Sequence, residues 1–321
     1  MAFASQTRRN FFIAATLFVG GGAALLTGTL PHAQAEALPA NAAAPQKIVS
    51  VGGAVTETLY ALGFGDRILA ADTTSMFPAA ARALPKVGYL RQLSAEGVLG
   101  MRPDLILLGE GAGPAAAVEQ IKSADLDVVD VAIPWTPDGV TKLIKTVGAA
   151  AGDAAQAGEF AETVRTQFSE LADAVPTTDA PSVLLLLSAG TGPLLGAGKN
   201  TAAEAVITMA GGRLALPTLE GYKPLSLEPV LAADPDFILI PSHVVMALGG
   251  EEALADIDVI AKTTAGQQGR VIVADSLYLL GFGPRTPQAI ADLAQMFHPD
   301  ADIPLAGREQ APSGRMNLTG S

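Results

Sequence analysis

Leu93-Ser94-Ala95-Glu96-Gly97-Val98-Leu99, leading into Pro103-Asp104-Leu105-Ile106-Leu107, returns 132 residues later as Leu225-Ser226-Leu227-Glu228-Pro229-Val230-Leu231 and Pro235-Asp236-Phe237-Ile238-Leu239. Leu, Ser, Glu, Val, Leu, Pro, Asp, Ile and Leu recur in register. A repeat at this spacing predicts two similar lobes, each with a short helix, a Pro-Asp turn and a buried strand. Two lobes enclose a cleft, and such clefts bind ligands. Just upstream the copies part: Gly88-Tyr89-Leu90-Arg91 precedes the first, Gly221-Tyr222-Lys223-Pro224 the second. Ligand chemistry is expected where the symmetry breaks.

Outward from the first copy, short apolar strands at 47–51, 68–72, 105–108 and 127–131 alternate with helices at 56–62 and 115–124. Continuously apolar strands alternating with helices predict a parallel sheet covered on both faces, hence an α/β fold. Ser94 is placed to N-cap the helix of the repeat, with Glu96 in its first turn. Helices follow at 137–150 and at 153–175, the second spanning roughly 34 Å at 1.5 Å per residue. Such a helix suits a rigid strut between two lobes, at 46–150 and 181–302. The second lobe opens with a strand at 182–187 and closes with a helix at 286–297, and residues 303–321 read as a disordered tail.

The first 35 residues read as an export signal. Thr7-Arg8-Arg9-Asn10-Phe11-Phe12-Ile13 is a twin-arginine pattern, an apolar Gly/Ala-rich stretch follows, and Ala33-Gln34-Ala35 is a cleavage site. The expected location is the periplasm. Cleavage leaves 286 of the 321 residues; it removes two arginines and no acid, taking the net charge from −12 to −14. That balance disfavours nucleic acid and anionic membrane as partners. With no Cys and three His, thiolate sites, disulfides and multi-histidine metal sites are not expected.

Two α/β lobes joined by a long helix resemble the helical-backbone (class III) periplasmic substrate-binding proteins. Four segments are similar to the haem-binding protein of bacterial haem importers: Pro85-Lys86-Val87-Gly88-Tyr89-Leu90-Arg91-Gln92-Leu93-Ser94-Ala95-Glu96-Gly97, Ala197-Gly198-Lys199-Asn200-Thr201-Ala202-Ala203-Glu204, Gly221-Tyr222-Lys223-Pro224-Leu225-Ser226 and Leu280-Gly281-Phe282-Gly283-Pro284-Arg285-Thr286-Pro287. The resemblance implies two Rossmann-like lobes with parallel sheets and a carrier without catalysis. It further implies ferric haem as cargo, an ABC importer permease as partner, and an outer-membrane haem receptor or haem carrier upstream.

The resemblance makes Tyr89 the axial ligand of the haem iron. Ferric iron is a hard cation that favours an anionic phenolate oxygen. A free phenol ionises near pH 10, so the metal and a neighbouring cation must assist, and Arg91 is two residues away. Lys223 and Arg285 are then expected near the two propionates, bidentate arginine suiting a carboxylate. Tyr222 is expected to stack on the porphyrin, to hydrogen-bond its edge, or simply to pack. His243, after the strand of the second repeat, is the candidate second ligand to the iron, and Met246 is expected to face the cleft with it. Where some relatives use a second-lobe histidine for a further haem, Ser188-Ala189-Gly190-Thr191-Gly192 contains none. Glu96 and Glu228, one per lobe, are the expected permease-docking pair.

Other readings stay open on the residues alone. A ferric-siderophore or cobalamin carrier would keep both glutamates and need no tyrosine ligand. An exported hydrolase or metalloenzyme would need a motif that is absent, neither G-x-S-x-G nor H-E-x-x-H occurring. Gly196-Ala197-Gly198-Lys199-Asn200-Thr201 has Asn where a phosphate loop has Ser or Thr, and reads as a helix-capping turn.

Overall fold

The first lobe begins with β1 (Ile48–Val51), α1 (Gly53–Ala61), β2 (Ile68–Ala71) and α2 (Ala79–Arg82). A small hairpin follows, β3 (Gly88–Tyr89) and β4 (Gln92–Leu93), then α3 (Ala95–Gly100), β5 (Leu105–Gly109), α4 (Ala115–Lys122) and β6 (Asp127–Val131). Two helices, α5 (Pro137–Ala150) and α6 (Ala154–Ala174), lead to the second lobe. That lobe contains β7 (Ser182–Ser188), β8 (Leu194–Ala197), α7 (Ala202–Met209), β9 (Arg213–Leu214), β10 (Tyr222–Leu225), α8 (Leu227–Ala233) and β11 (Phe237–Pro241). It ends with α9 (Ser242–Leu248), α10 (Asp258–Ala261), α11 (Thr264–Gln267), β12 (Val271–Ala274), α12 (Ser276–Leu280), α13 (Thr286–Phe297) and β13 (Asn317–Leu318). This computed structural model describes residues 44–189, 193–305 and 316–319; the export signal expected at 1–35 lies outside them.

The first sheet is parallel throughout, in the order β2-β1-β5-β6. The second has the same parallel centre, β9-β7-β11-β12, but it is mixed rather than parallel as expected. β7 is long enough to pair with β9 at its start and, antiparallel, with β8 at its end. β10 then adds to β8, also antiparallel, so Tyr222 and Lys223 ride on an extension at the carboxyl end of β7.

The Pro-Asp half of the repeat has the same structural task in each lobe, whereas Ser94 caps its helix through its side chain and Ser226 does not. The Asp104 carboxylate accepts the backbone N–H groups of Gln46, at 3.0 Å, and Lys47, at 2.9 Å, and so ties down the start of β1. The Asp236 carboxylate accepts the Ser182 N–H and hydroxyl, both at 2.7 Å, and ties down the start of β7. Burial pushes the Asp236 carboxyl up, but the Ser182 hydrogen bonds, with Arg270 and Arg213 nearby, hold it below its ordinary value.

Side-chain caps start several helices: Ser94 accepts from Gly97 N–H, Thr136 from Gly139, Asp153 from Gln156 and Thr201 from Glu204. At α7 the Glu204 carboxylate also accepts the Asn200 N–H, which completes a reciprocal cap. The Gly-Lys-Asn-Thr turn is therefore a helix cap.

Helix α6 is a continuous 21-residue helix, about 31 Å long. It does more than brace. Ala157, Ala161, Val164, Phe168 and Leu171 bury its inner stripe, and they belong to one apolar cluster that runs from Leu59 and Ile144 to Val183 and Ile290. Each sheet has a separate cluster on its other face. The lobes thus share a core, which opposes wide hinge motion. The expected tail also joins the fold in part: Ile303, Leu305 and Met316 are buried, and β13 pairs antiparallel with β12. Residues 306–315 lie outside the description. His298, after the last helix, is half-buried beside Gly211.

Candidate ligand-binding cleft

The carboxyl ends of the two sheets face each other. A Cβ on Gly53, just past β1, would lie 2.5 Å from Leu277 of α12. In the first lobe the strand order reverses between β1 and β5, the crevice where α/β sheets bind ligands. The β3–β4 hairpin belongs to the connection that crosses this reversal. Its turn is Leu90-Arg91, and Gly88 enters it at φ +111°, where a Cβ would meet the Gln92 carbonyl at 2.9 Å.

The hairpin is clamped on both flanks. On one side Thr73 N–H donates to the Gly88 carbonyl at 2.9 Å, and Val87 N–H to Ala71 at 3.1 Å. On the other, Gly113 N–H donates to Leu90 at 2.9 Å and Leu93 N–H to Gly113 at 2.7 Å. Tyr89 therefore sits on a fixed backbone and is 44% exposed. Arg91 is exposed beside it.

From the other lobe, Tyr222 on β10 comes near enough to feel the Arg91 charge. Burial raises its phenol above the ordinary value, while the Ala203 backbone, the Thr201 hydroxyl and Arg91 pull it down. Lys223, next on the strand, is exposed. The Tyr89–Arg91 hairpin and the Tyr222–Lys223 strand thus approach each other through Arg91 and Tyr222.

Arg285 is engaged elsewhere. Its Nη2 donates to Glu57 Oε2 at 2.9 Å, its backbone N–H to Glu57 Oε1 at 3.0 Å, and its guanidinium lies 3.4 Å above the Phe77 ring. The side chain of Glu57 is only 4% exposed. Gly283 admits this carboxylate, since a Cβ there would sit 3.1 Å from Oε1. The Gly-Phe-Gly-Pro-Arg segment is thus a socket for a first-lobe carboxylate, and the cation expected near a propionate is paired within the protein. Arg285 also borders a hollow of ≈ 530 Å³ lined in addition by Tyr60, Phe160 and Gln167.

His243 is exposed at the start of α9, with Nδ1 2.9 Å from Ser276 Oγ. A partner on Nδ1 orients the ring and leaves Nε2 as the outward nitrogen. Glu96 and Glu228 are exposed in the first turns of α3 and α8.

Sequence reasoning missed two apolar side chains. Met76 follows β2 and is 41% exposed; Trp135 follows β6 and is 43% exposed. With Tyr89 and Met246, the latter 72% exposed, they are the exposed large hydrophobics among the described residues; Met76, Trp135 and Met246 follow the carboxyl ends of β2, β6 and β11. An isolated Trp or Met in a loop carries no periodic signal, so nothing in the sequence marked them. Exposed apolar side chains past strand ends suit an apolar ligand.

Residues 48–278 match the model of the periplasmic binding protein family. The chain belongs to that family. Among solved structures it is 37% identical to the periplasmic haem-binding protein RhuT from Roseiflexus sp. RS-1 in its apo form, with a TM-score of 0.76 over 79% of this chain and 98% of that one. It is 34% identical to a periplasmic haem-binding protein from Pseudomonas aeruginosa, with a TM-score of 0.71 over 86% of this chain and 99% of that one. Among curated relatives it is 28% identical to a cobalamin-binding protein of Halobacterium salinarum over 260 residues, covering 79% of this chain and 70% of the relative. The fold is that of class III periplasmic binding proteins, which are substrate-binding proteins and not enzymes. Binding proteins of this kind deliver their ligands to ABC importer permeases. No helix of the described residues is long and apolar enough to cross a membrane.

Proposed function

We propose that this binding protein carries ferric haem between its lobes and delivers it to the permease of an ABC haem importer. The observation that carries the reading is Tyr89, an exposed phenol on a doubly clamped hairpin with Arg91 beside it. A ferric ion takes phenolate oxygen readily, and a rigid support holds the ligand where the iron arrives. Arg91 supports the anionic phenolate, Lys223 meets a propionate, and Tyr222 contacts the porphyrin edge. Met76, Trp135 and Met246 cover its apolar faces. His243 approaches the iron as a second ligand through Nε2. Glu96 and Glu228, one on each lobe, dock on the permease. The chain reaches the periplasm through the twin-arginine pathway and takes haem from an outer-membrane receptor or a haem carrier.

Identity of 37% and 34% to two haem-binding proteins, against 28% to a cobalamin-binding one, supports this cargo. The test is a titration of the purified protein with ferric haem, followed in the Soret region. A one-step Soret shift that Tyr89→Ala abolishes is expected; no shift, or unchanged affinity in the variant, overturns the reading. Cobalamin is the rival cargo because of the curated relatives, and displacement of bound haem by cobalamin at equal concentration would favour it.

A further inference from the structure

Beneath the hairpin lies a polar network that no ligand contact explains. Asp72, at the end of β2, is 0% exposed, yet its carboxylate is saturated. Oδ1 accepts the Gly52 N–H at 2.9 Å and the Ser75 hydroxyl at 2.7 Å. Oδ2 accepts the Thr74 N–H at 2.8 Å and the Thr74 hydroxyl at 2.5 Å. The network continues through Ser75 Oγ to Thr56 Oγ1 and on to Ser50 Oγ, each step 2.7 Å. A carboxylate buried in a lobe's core is costly unless fully hydrogen-bonded, and an apolar side chain would fill the volume with less risk.

What the carboxylate grips is the 72–75 turn. Thr73, enclosed in that turn, donates its N–H to Gly88, the residue before Tyr89. The adjoining Ala71 accepts from Val87 and donates to Pro85. Lys86 closes the same unit from the other side, its ammonium donating to the Ser75 carbonyl at 3.1 Å and the Ala81 carbonyl at 2.9 Å. Asp72 thus holds the turn whose Thr73 N–H reaches the residue before Tyr89.

We propose that Asp72 is a positioning residue for the Tyr89 phenol, acting through the Thr73–Gly88 link and touching no ligand itself. The proposal rests on Tyr89 being the iron ligand. In Asp72→Asn one oxygen becomes an NH2 that faces hydrogen-bond donors, so the turn loses its grip at nearly constant volume. Outer-shell partners of metal ligands typically matter by about 10- to 100-fold in affinity, and a loss of that size is expected for ferric haem.

Two readouts separate the possibilities. Amide hydrogen exchange on the ligand-free protein is expected to speed up at Thr73 and Val87 in Asp72→Asn, while Leu93 and Gly113, on the opposite clamp, keep their rates. The iron–phenolate vibration of the haem complex is expected to weaken or shift. Thr74→Val, which removes one hydroxyl from the carboxylate, should give a smaller change of the same kind and carries the test if Asp72→Asn does not fold. Unchanged exchange at Thr73 and Val87, or a uniform rise over the lobe, overturns the proposal. So does selective loosening with an unaltered phenolate signature and haem affinity. If the wild-type protein gives no phenolate signature at all, the haem reading fails and this role of Asp72 falls with it; the exchange rates then show only whether Asp72 fixes the hairpin.

Discussion

Glu57 and Arg285, 228 positions apart in the chain, meet in a two-point contact: guanidinium Nη2 to Oε2 at 2.9 Å and backbone N–H to Oε1 at 3.0 Å. One belongs to α1 of the first lobe, the other to the segment before α13 of the second. Removing one partner strands the other, so Glu57→Gln or Arg285→Met should each destabilise the protein by about 3 kcal/mol, read as a lower urea midpoint. The double variant Glu57→Leu/Arg285→Leu should recover much of that loss, because a paired buried charge contributes little over a packed apolar pair. Additive losses would contradict the pairing.

Gly88→Ala and Gly100→Ala should separate a strained position from an ordinary one. Gly88 has φ +111° and a backbone oxygen 2.9 Å from any Cβ, whereas a Cβ on Gly100, in α3, meets nothing within 4 Å. Gly88→Ala is expected to cost about 1–3 kcal/mol and to weaken haem binding, since Tyr89 is the next residue. Gly100→Ala should be neutral or stabilise by roughly 0.5–1 kcal/mol. Thermal melts with and without haem check both.

Trp135 is the protein's single tryptophan, lies 43% exposed just past β6, and is proposed to border the haem. Haem bound there should quench its fluorescence in a saturable titration. Tyr89→Ala should shift the midpoint to higher haem concentration without changing the emission of the free protein. Quenching that never saturates would place the haem elsewhere.

The Asp236 carboxyl is held below its ordinary value in the folded state by the Ser182 hydrogen bonds. A depressed folded value means stability that is present above the unfolded pKa, near 3.9, and lost as pH falls through the folded one. Asp236→Asn should therefore lower stability by about 1–2 kcal/mol at pH 7 and flatten the rise in stability between about pH 2 and 5. Urea titrations of both proteins at several pH values would show the curves converging at the acid end.

The duplicated Leu-Ser-x-Glu and Pro-Asp block foretold two lobes because each copy has a local task that sequence can encode. Ser94 caps its own helix, and Asp104 and Asp236 strap the strands beside them. Continuous apolar runs likewise marked the parallel strands, since burial on both faces leaves no alternation. The antiparallel strands β8 and β10 escaped this reading. They are short and partly exposed, and their pairing depends on how far β7 extends.

By itself the sequence determined the two-lobed α/β plan, the long helix and the capped turns. These rest on periodicity, on caps and on motifs a few residues long. Only the tertiary structure decided that Arg285 pairs with Glu57, that Met76 and Trp135 are exposed, that Asp72 holds the turn whose Thr73 bonds to Gly88, and that α6 joins one core shared by both lobes. Each of these depends on which distant groups meet, and a buried charge or an exposed ring is defined by its neighbours in space. Residue type told which cations were available; burial and partnership told which of them is spent inside the protein and which are left for a ligand.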